Sequence, residues 1–188
     1  MKILLINNHT RHLKSLNLAL AGHEVEMQLY KPGLNFHEDG KDLIILSGGG
    51  GEGLEIDDKA DDDRLWYESE MDFVLRTKKP VIGICMGFEV ICRAHGLAVP
   101  KMSKLLQAQT SLKTTRKGKA VFGQAKLSQL EAHQWYVTQA PKGFDVLADS
   151  DFGVEIIQKD NILATQFHPE KPGTLELNNL LTQPYLIS

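Results

Sequence analysis

The sequence predicts an α/β fold: a mostly parallel, twisted sheet with helices on both faces and a small antiparallel extension. Three observations predict it. Continuous apolar runs of strand length occur at 2–6 (KILLI), 42–47 (DLIILS) and 80–84 (PVIGI), the pattern of strands covered on both faces. Segments with apolar residues at helical spacing alternate with these runs, as in a parallel sheet with crossover helices. From about residue 105 onward the pattern changes to short strands separated by turn signals.

Taken in order, KILLI is the first strand. RHLKSLNLALAG follows, with Leu13, Leu16 and Leu20 on one helical face and Gly22 as the stop. EVEMQLY (24–30) alternates as a second strand, and DLIILS is a third, ending in four glycines, Gly48 to Gly51. The acidic stretch EIDDKADDD (55–63) leads into a helix over 64–79. PVIGI is the fourth strand and MGFEVICRAHG a helix closed by Gly96. Turns are expected at RKG (116–118), PKG (141–143), SDFG (150–153) and KDN (159–161). Between them the chain builds the antiparallel extension and returns to the sheet through DNILATQF. TLELNNLL (174–181) is the closing helix.

At 188 residues the chain fits one domain, 1–188, able to bury about 70 % of its unfolded surface. A net charge of −3 argues against an electrostatic nucleic-acid or membrane binder. No apolar run approaches the roughly 20 residues that span a bilayer. MKILLINNHT turns polar too quickly for a signal peptide. The two cysteines, Cys85 and Cys92, share one apolar segment, which suits a reducing cytoplasm better than a disulfide scaffold.

G-I-C-M-G (83–87) has the spacing of a nucleophile elbow, with cysteine where the pattern has serine. In the strained turn between strand and helix, side chains two before and two after would collide with the nucleophile, and Gly83 and Gly87 supply none. The helix N-terminus would favour thiolate over thiol. Taken alone, the motif fits a packed strand-end cysteine as well as a nucleophile. Cys92, without a glycine frame, reads as packing.

A nucleophile needs a base and a group that orients the base. ATQFHPEK (164–171) offers both: His168 at a strand end and Glu170 two residues on, where alternate side chains of extended chain point the same way. LSGGGGEG (46–53) lacks the Walker lysine, so it is not read as a phosphate cradle. It reads either as a flexible link or as an oxyanion hole, with Gly49 N–H and Met86 N–H as donors. His9 and His12 are three apart but gain no further ligand in sequence, so a solvated loop is expected there. DDKADDD lacks the spacing of a calcium loop. No metal or cofactor is implied.

A strand ending S-G-G, then G-I-C-x-G, then Q-F-H-P-E resembles the class I, triad-type glutamine amidotransferases, in order and over nearly the whole chain. The resemblance implies their flavodoxin-like sheet and a catalytic triad of Cys85, His168 and Glu170. Cys85 would attack the side-chain amide of glutamine, form a γ-glutamyl thioester and release ammonia to a synthetase. No synthetase domain is visible, so the resemblance implies a separate synthetase partner. Gly48, Gly50 and Glu89 are expected to border the substrate. EAHQWYVTQAPKGFDVLADS (131–150) is similar to a family stretch in which His133 lies near the partner-facing side; an ordinary sheet-edge histidine fits it too.

Three departures stand out. Gly50 replaces the proline of S-G-G-P, which is expected to loosen the oxyanion loop. Trp135 stands where guanylate synthetase subunits have aspartate. Glu89 replaces the glutamine four after the cysteine, and C-M-G-F-E together with H-P-E-K is similar to the γ-glutamyl hydrolases. An ionised carboxylate accepts but cannot donate, so it favours a substrate ammonium and repels a carboxylate. The leading expectation is a cytoplasmic glutaminase subunit. The alternatives are a stand-alone hydrolase or transferase of γ-glutamyl amides or conjugates, and a catalytically silent binding relative.

Overall fold

A computed structural model describes residues 1–51, 53–59 and 64–183. The parallel half runs β1 (Lys2–Asn7), α1 (Leu13–Ala19), β2 (Glu24–Leu29), β3 (Leu43–Leu46), α2 (Glu68–Arg76), β4 (Val81–Ile84) and α3 (Met86–Ala94). The second half runs β5 (Lys101–Thr114), α4 (Arg116–Phe122), β6 (Lys126–Trp135), β7 (Asp145–Ser150), β8 (Gly153–Lys159), β9 (Ile162–Thr165) and α5 (Leu177–Leu181). All the strands join one sheet in the order β2-β1-β3-β4-β9-β8-β7-β5-β6. β2, β1, β3, β4 and β9 are mutually parallel; from β9 to β6 every pairing is antiparallel.

The period of two along the buried strands sorts their side chains into two cores. Leu4, Ile6, Ile44, Leu46 and Val81 face one side, where α2 and α3 cover them with Phe73, Val74, Phe88 and Ile91. Ile3, Leu5, Leu43, Ile45, Ile82 and Leu163 face the other, under Leu16 and Leu20 of the α1 segment and Leu177 and Leu180 of α5. Both faces are covered, which is why these strands read as unbroken apolar runs. Among the described residues no helix is long and apolar enough to cross a membrane.

Two expected elements differ. RKG is not a turn: Thr115 Oγ1 accepts from Gly118 N–H at 3.1 Å and caps α4, which Gly123 ends at φ +71°. The extension is also larger than short strands, because β5 alone has 14 residues. Only Lys113 and Thr114 of β5 pair with β7, so the rest of β5 forms a two-stranded ribbon with β6. That ribbon folds back toward the ends of β4 and β9, where His168 N–H reaches Leu130 C=O of β6 at 3.2 Å. The chain turns from β2 back past β1 to β3, so the carboxyl ends of β1 and β3 flank a crevice, the usual ligand position in such sheets.

Candidate active site

Four strand ends converge on this crevice. β4 ends at Cys85, whose φ of +50° and ψ of −103° are strained for a side-chain-bearing residue, at a cost of about 1–3 kcal/mol. Neighbouring bonds hold it there: Cys85 N–H donates to Thr165 C=O at 2.8 Å and Gly87 N–H to Ser47 C=O at 3.2 Å. The flanking glycines are needed for a reason slightly different from the expected one. A Cβ on Gly83 would lie 2.6 Å from Ile91 Cδ1 and 2.8 Å from Gly87 C=O, and one on Gly87 would run into Leu46. The side chains are excluded by the strand–helix contact, not by the thiol.

β9 delivers His168 and Glu170, both buried. His168 Nδ1 donates to Glu170 Oε1 at 2.8 Å, leaving Nε2 as the free ring nitrogen. A Cβ on Gly48 would come 3.1 Å from His168 Cε1 and 3.6 Å from Cys85 Cβ, so one small residue of the β3 loop separates thiol and imidazole. Cys85 and His168 open onto the same cavity of about 310 Å³, which Gly49, Gly50, Met86 and Glu89 also line. A Cβ on Gly49 would lie 2.6 Å from Met86 Sδ and 3.3 Å from Met86 Cβ, so the two residues expected to supply the N–H donors are neighbours.

The loop after β3 is tied down despite Gly50, contrary to the expected loosening. Thr10 and Gly50 form a β-bridge, Arg11 Nε donates to Gly50 C=O, and Gly51 N–H donates to His9 C=O at 2.7 Å. Contacts from the β1 loop thus do the work that a proline ring does by fixing φ.

The thiol also departs from expectation. Burial pushes the Cys85 thiol well above its ordinary value; the carboxyls of Glu89, Glu170 and Glu131 push the same way, against the Met86 N–H. The helix N-terminus alone does not overcome these effects, which together favour the thiol over the thiolate.

Glu89 is not a surface carboxylate. It is 3 % exposed, lines the cavity and accepts from Gln166 Nε2 at 2.9 Å. Burial raises its carboxyl to about 7, against the pull of Gln166, His133 and Arg93. His133, expected either near the partner-facing side or at a sheet edge, is 4 % exposed and lines the cavity, and its Nδ1 donates to Trp135 C=O at 2.6 Å. The alternation along β6 that puts Leu127 and Gln129 inside turns His133 inward too. Trp135 also lines the cavity, with Lys101 Nζ 5.1 Å from its ring centre. Cys92 is fully buried in α3, as packing requires.

Sequence reasoning missed His12, expected in a solvated loop. Its ring meets that of His168 edge-on at 4.5 Å, and burial, with His168 and Lys171 nearby, lowers its pKa to about 4. It therefore walls the site as a neutral ring. His9 likewise is not simply solvated, since its Nε2 lies 3.0 Å from Tyr30 C=O. Arg11 and Gln166 were missed as well; their contacts span 39 and 77 residues of chain and leave no local pattern. The acidic stretch falls partly outside the described residues. Asp57 within it pairs with Arg93 at 2.5 Å, and Asp58 Oδ2 accepts from Glu55 N–H at 2.6 Å.

Comparison with known proteins agrees with this geometry. The family model for glutamine amidotransferase class-I matches residues 4–186. The chain is 31 % identical over 151 residues to the pyocyanine-specific anthranilate synthase component 2 of Pseudomonas aeruginosa, covering 79 % of this chain and 71 % of that one. It is 27 % identical over 182 residues to one of the subunits of the glutamine-hydrolysing GMP synthase of Methanothermobacter thermautotrophicus, covering 93 % and 91 %. A glutamine amidotransferase of Thermotoga maritima superposes with a TM-score of 0.67 at 14 % identity, over 90 % of this chain and 76 % of that one, a likeness of fold. With the elbow, the His–Glu pair and the glycine loop in one crevice, the chain belongs to the class-I glutamine amidotransferase family.

Proposed function

We propose that the chain is one glutaminase domain that hydrolyses the side-chain amide of glutamine and passes ammonia to a separate synthetase partner in the cytoplasm. The observation that carries the reading is the strained Cys85 sharing a cavity with the His168–Glu170 pair. His168 Nε2 takes the thiol proton as the sulfur attacks the amide carbonyl, and Glu170 stabilises the imidazolium that results. The oxyanion is received by the N–H groups of Gly49 and Met86. Collapse of the adduct breaks the C–N bond, and the His168 proton leaves with the nitrogen as ammonia. Water, deprotonated by His168, then cleaves the γ-glutamyl thioester to glutamate and restores the thiol. A buried, protonated thiol suits this order, because the proton moves only when an amide is in place to be attacked.

The relatives named above support the partner, since the anthranilate synthase component and the GMP synthase subunit are by name parts of larger synthases. Cys85→Ala should abolish glutamine hydrolysis while leaving the melting temperature close to that of the parent; retained hydrolysis ends the reading. Glu89 favours a second reading, a stand-alone hydrolase of γ-glutamyl amides or conjugates, because it is a buried carboxyl facing the cavity. Assaying the chain alone against glutamine and a panel of γ-glutamyl compounds separates the two: glutamine as the poor substrate selects the second.

A further inference from the structure

Beside the active cavity lies a second cluster that the proposed chemistry does not use. Glu131 and His133 are two apart on β6, so they share a face, and the folded-back ribbon brings them to Glu155 of β8. All three are buried, at 0 %, 4 % and 1 % exposure. One ligand-capable atom from each lies within 4.8 Å of the other two.

His133 Nδ1–H is committed to the Trp135 carbonyl, which can only accept, so in the neutral ring Nε2 is a lone pair. That Nε2 lies 3.0 Å from Glu131 Oε2 without the alignment of a hydrogen bond. Apart from a proton that Glu131 and Glu155 can share between them, no hydrogen-bond donor among the described residues serves either oxygen of Glu131, Oε2 of Glu155 or Nε2 of His133. Ser150 Oγ donates to the other Glu155 oxygen at 2.6 Å and leaves Oε2 facing the cluster. Buried acceptors facing one another repel unless a cation or a shared proton lies among them.

We propose that Glu131, His133 and Glu155 form a binding site for one divalent first-row transition-metal ion, with Zn²⁺ the best fit. An imidazole nitrogen with two carboxylate oxygens is a donor set that zinc takes readily, a water completing the tetrahedron. Ligand atoms around zinc stand roughly 3.4 Å apart for metal–ligand bonds of about 2.1 Å. The His133–Glu131 pair is already near that spacing, and small rotations of Glu155 close the rest. His133 provides the ring orientation expected of a ligand, its second nitrogen held by a backbone carbonyl. Because His133 lines the main cavity, an ion can enter from there. Bound, it offsets the carboxylate charge facing Cys85 and braces the wall formed by Ala132, His133, Gln134 and Trp135. Metal binding at these residues does not require that the chain be a glutaminase.

The test uses the full chain carrying Cys85→Ser, which removes a competing sulfur ligand, after treatment with a chelator and its removal. Co²⁺ and Zn²⁺ are titrated by calorimetry, and Co²⁺ also by its visible spectrum. The expected result is one equivalent bound, four- to five-coordinate cobalt bands, and a melting temperature that rises with Zn²⁺ concentration. Glu155→Gln and His133→Ala in the same background should weaken binding by about tenfold or more. Absence of saturable binding in the Cys85→Ser chain, which needs no further variant to interpret, overturns the proposal and leaves a pair of carboxyls sharing a proton. Binding untouched by both substitutions overturns it equally.

Discussion

Cys85 takes the backbone strain, and in the proposed reaction His168 takes the proton, so the residues around them can be tested against those tasks. Gly49 can be tested directly. Gly49→Ala places a methyl group against Met86 Sδ and displaces one oxyanion donor, so kcat should fall about a hundredfold or more with KM little changed. A loss confined to KM would remove Gly49 from the oxyanion role. Glu70 supplies a different test. It is fully buried, accepts from Asn8 Nδ2 at 2.9 Å, and burial raises its carboxyl to about 8. Between an unfolded value near 4.5 and about 8 the folded state binds the extra proton, so stability falls as pH rises through that window. Glu70→Gln, which keeps the shape without the ionisation, should flatten that fall in urea titrations from pH 5 to 8; an unchanged slope would assign it to other acids. At this scale Cys85, His168 and Glu170 were legible because glycine spacing and a His-Pro-Glu run leave local marks. His12 and Gln166 were not, because their positions depend on which strand ends meet.

Among the elements, the parallel half was readable strand by strand, since Leu4 and Leu5 enter opposite cores and no polar residue interrupts the run. The antiparallel half was not, because β5 is exposed on both faces over much of its length and carries no burial period. The α4 helix shows a missed local signal: Thr115 and Gly123 bracket it as cap and stop, but Gly118 in RKG reads as a turn. Gly118 is there because Leu147 C=O presses on the helix where a Cβ would be. Thr115→Ala removes a hydroxyl that accepts from Gly118 N–H and donates to Val146 C=O at 2.8 Å. It should cost about 1 kcal/mol, or roughly 2–4 °C in Tm, with glutamine turnover unaffected. A Tm shift below about 1 °C would mean that α4 is held by packing alone.

For the molecule as a whole, one crevice at the carboxyl ends of the parallel strands collects the chemistry. The β5–β6 ribbon closes it from above with His133 and Trp135. Glu89, a carboxyl where the resembled pattern has glutamine, lines that crevice. A buried carboxyl accepting from Gln166, it pushes the Cys85 thiol upward when ionised. Glu89→Gln should lower the pKa of Cys85 seen in the pH dependence of alkylation, since a like charge is removed. It should also shift the preference among γ-glutamyl substrates; an unchanged preference would place Glu89 outside the specificity contacts.

The central claim is that Cys85 forms a covalent γ-glutamyl thioester. Acid quenching of the chain during glutamine turnover, followed by mass spectrometry of its peptides, tests this most directly. One γ-glutamyl adduct is expected, on the peptide containing Cys85, and none after Cys85→Ser. Turnover without any adduct, or an adduct that survives in the Cys85→Ser chain, would contradict it.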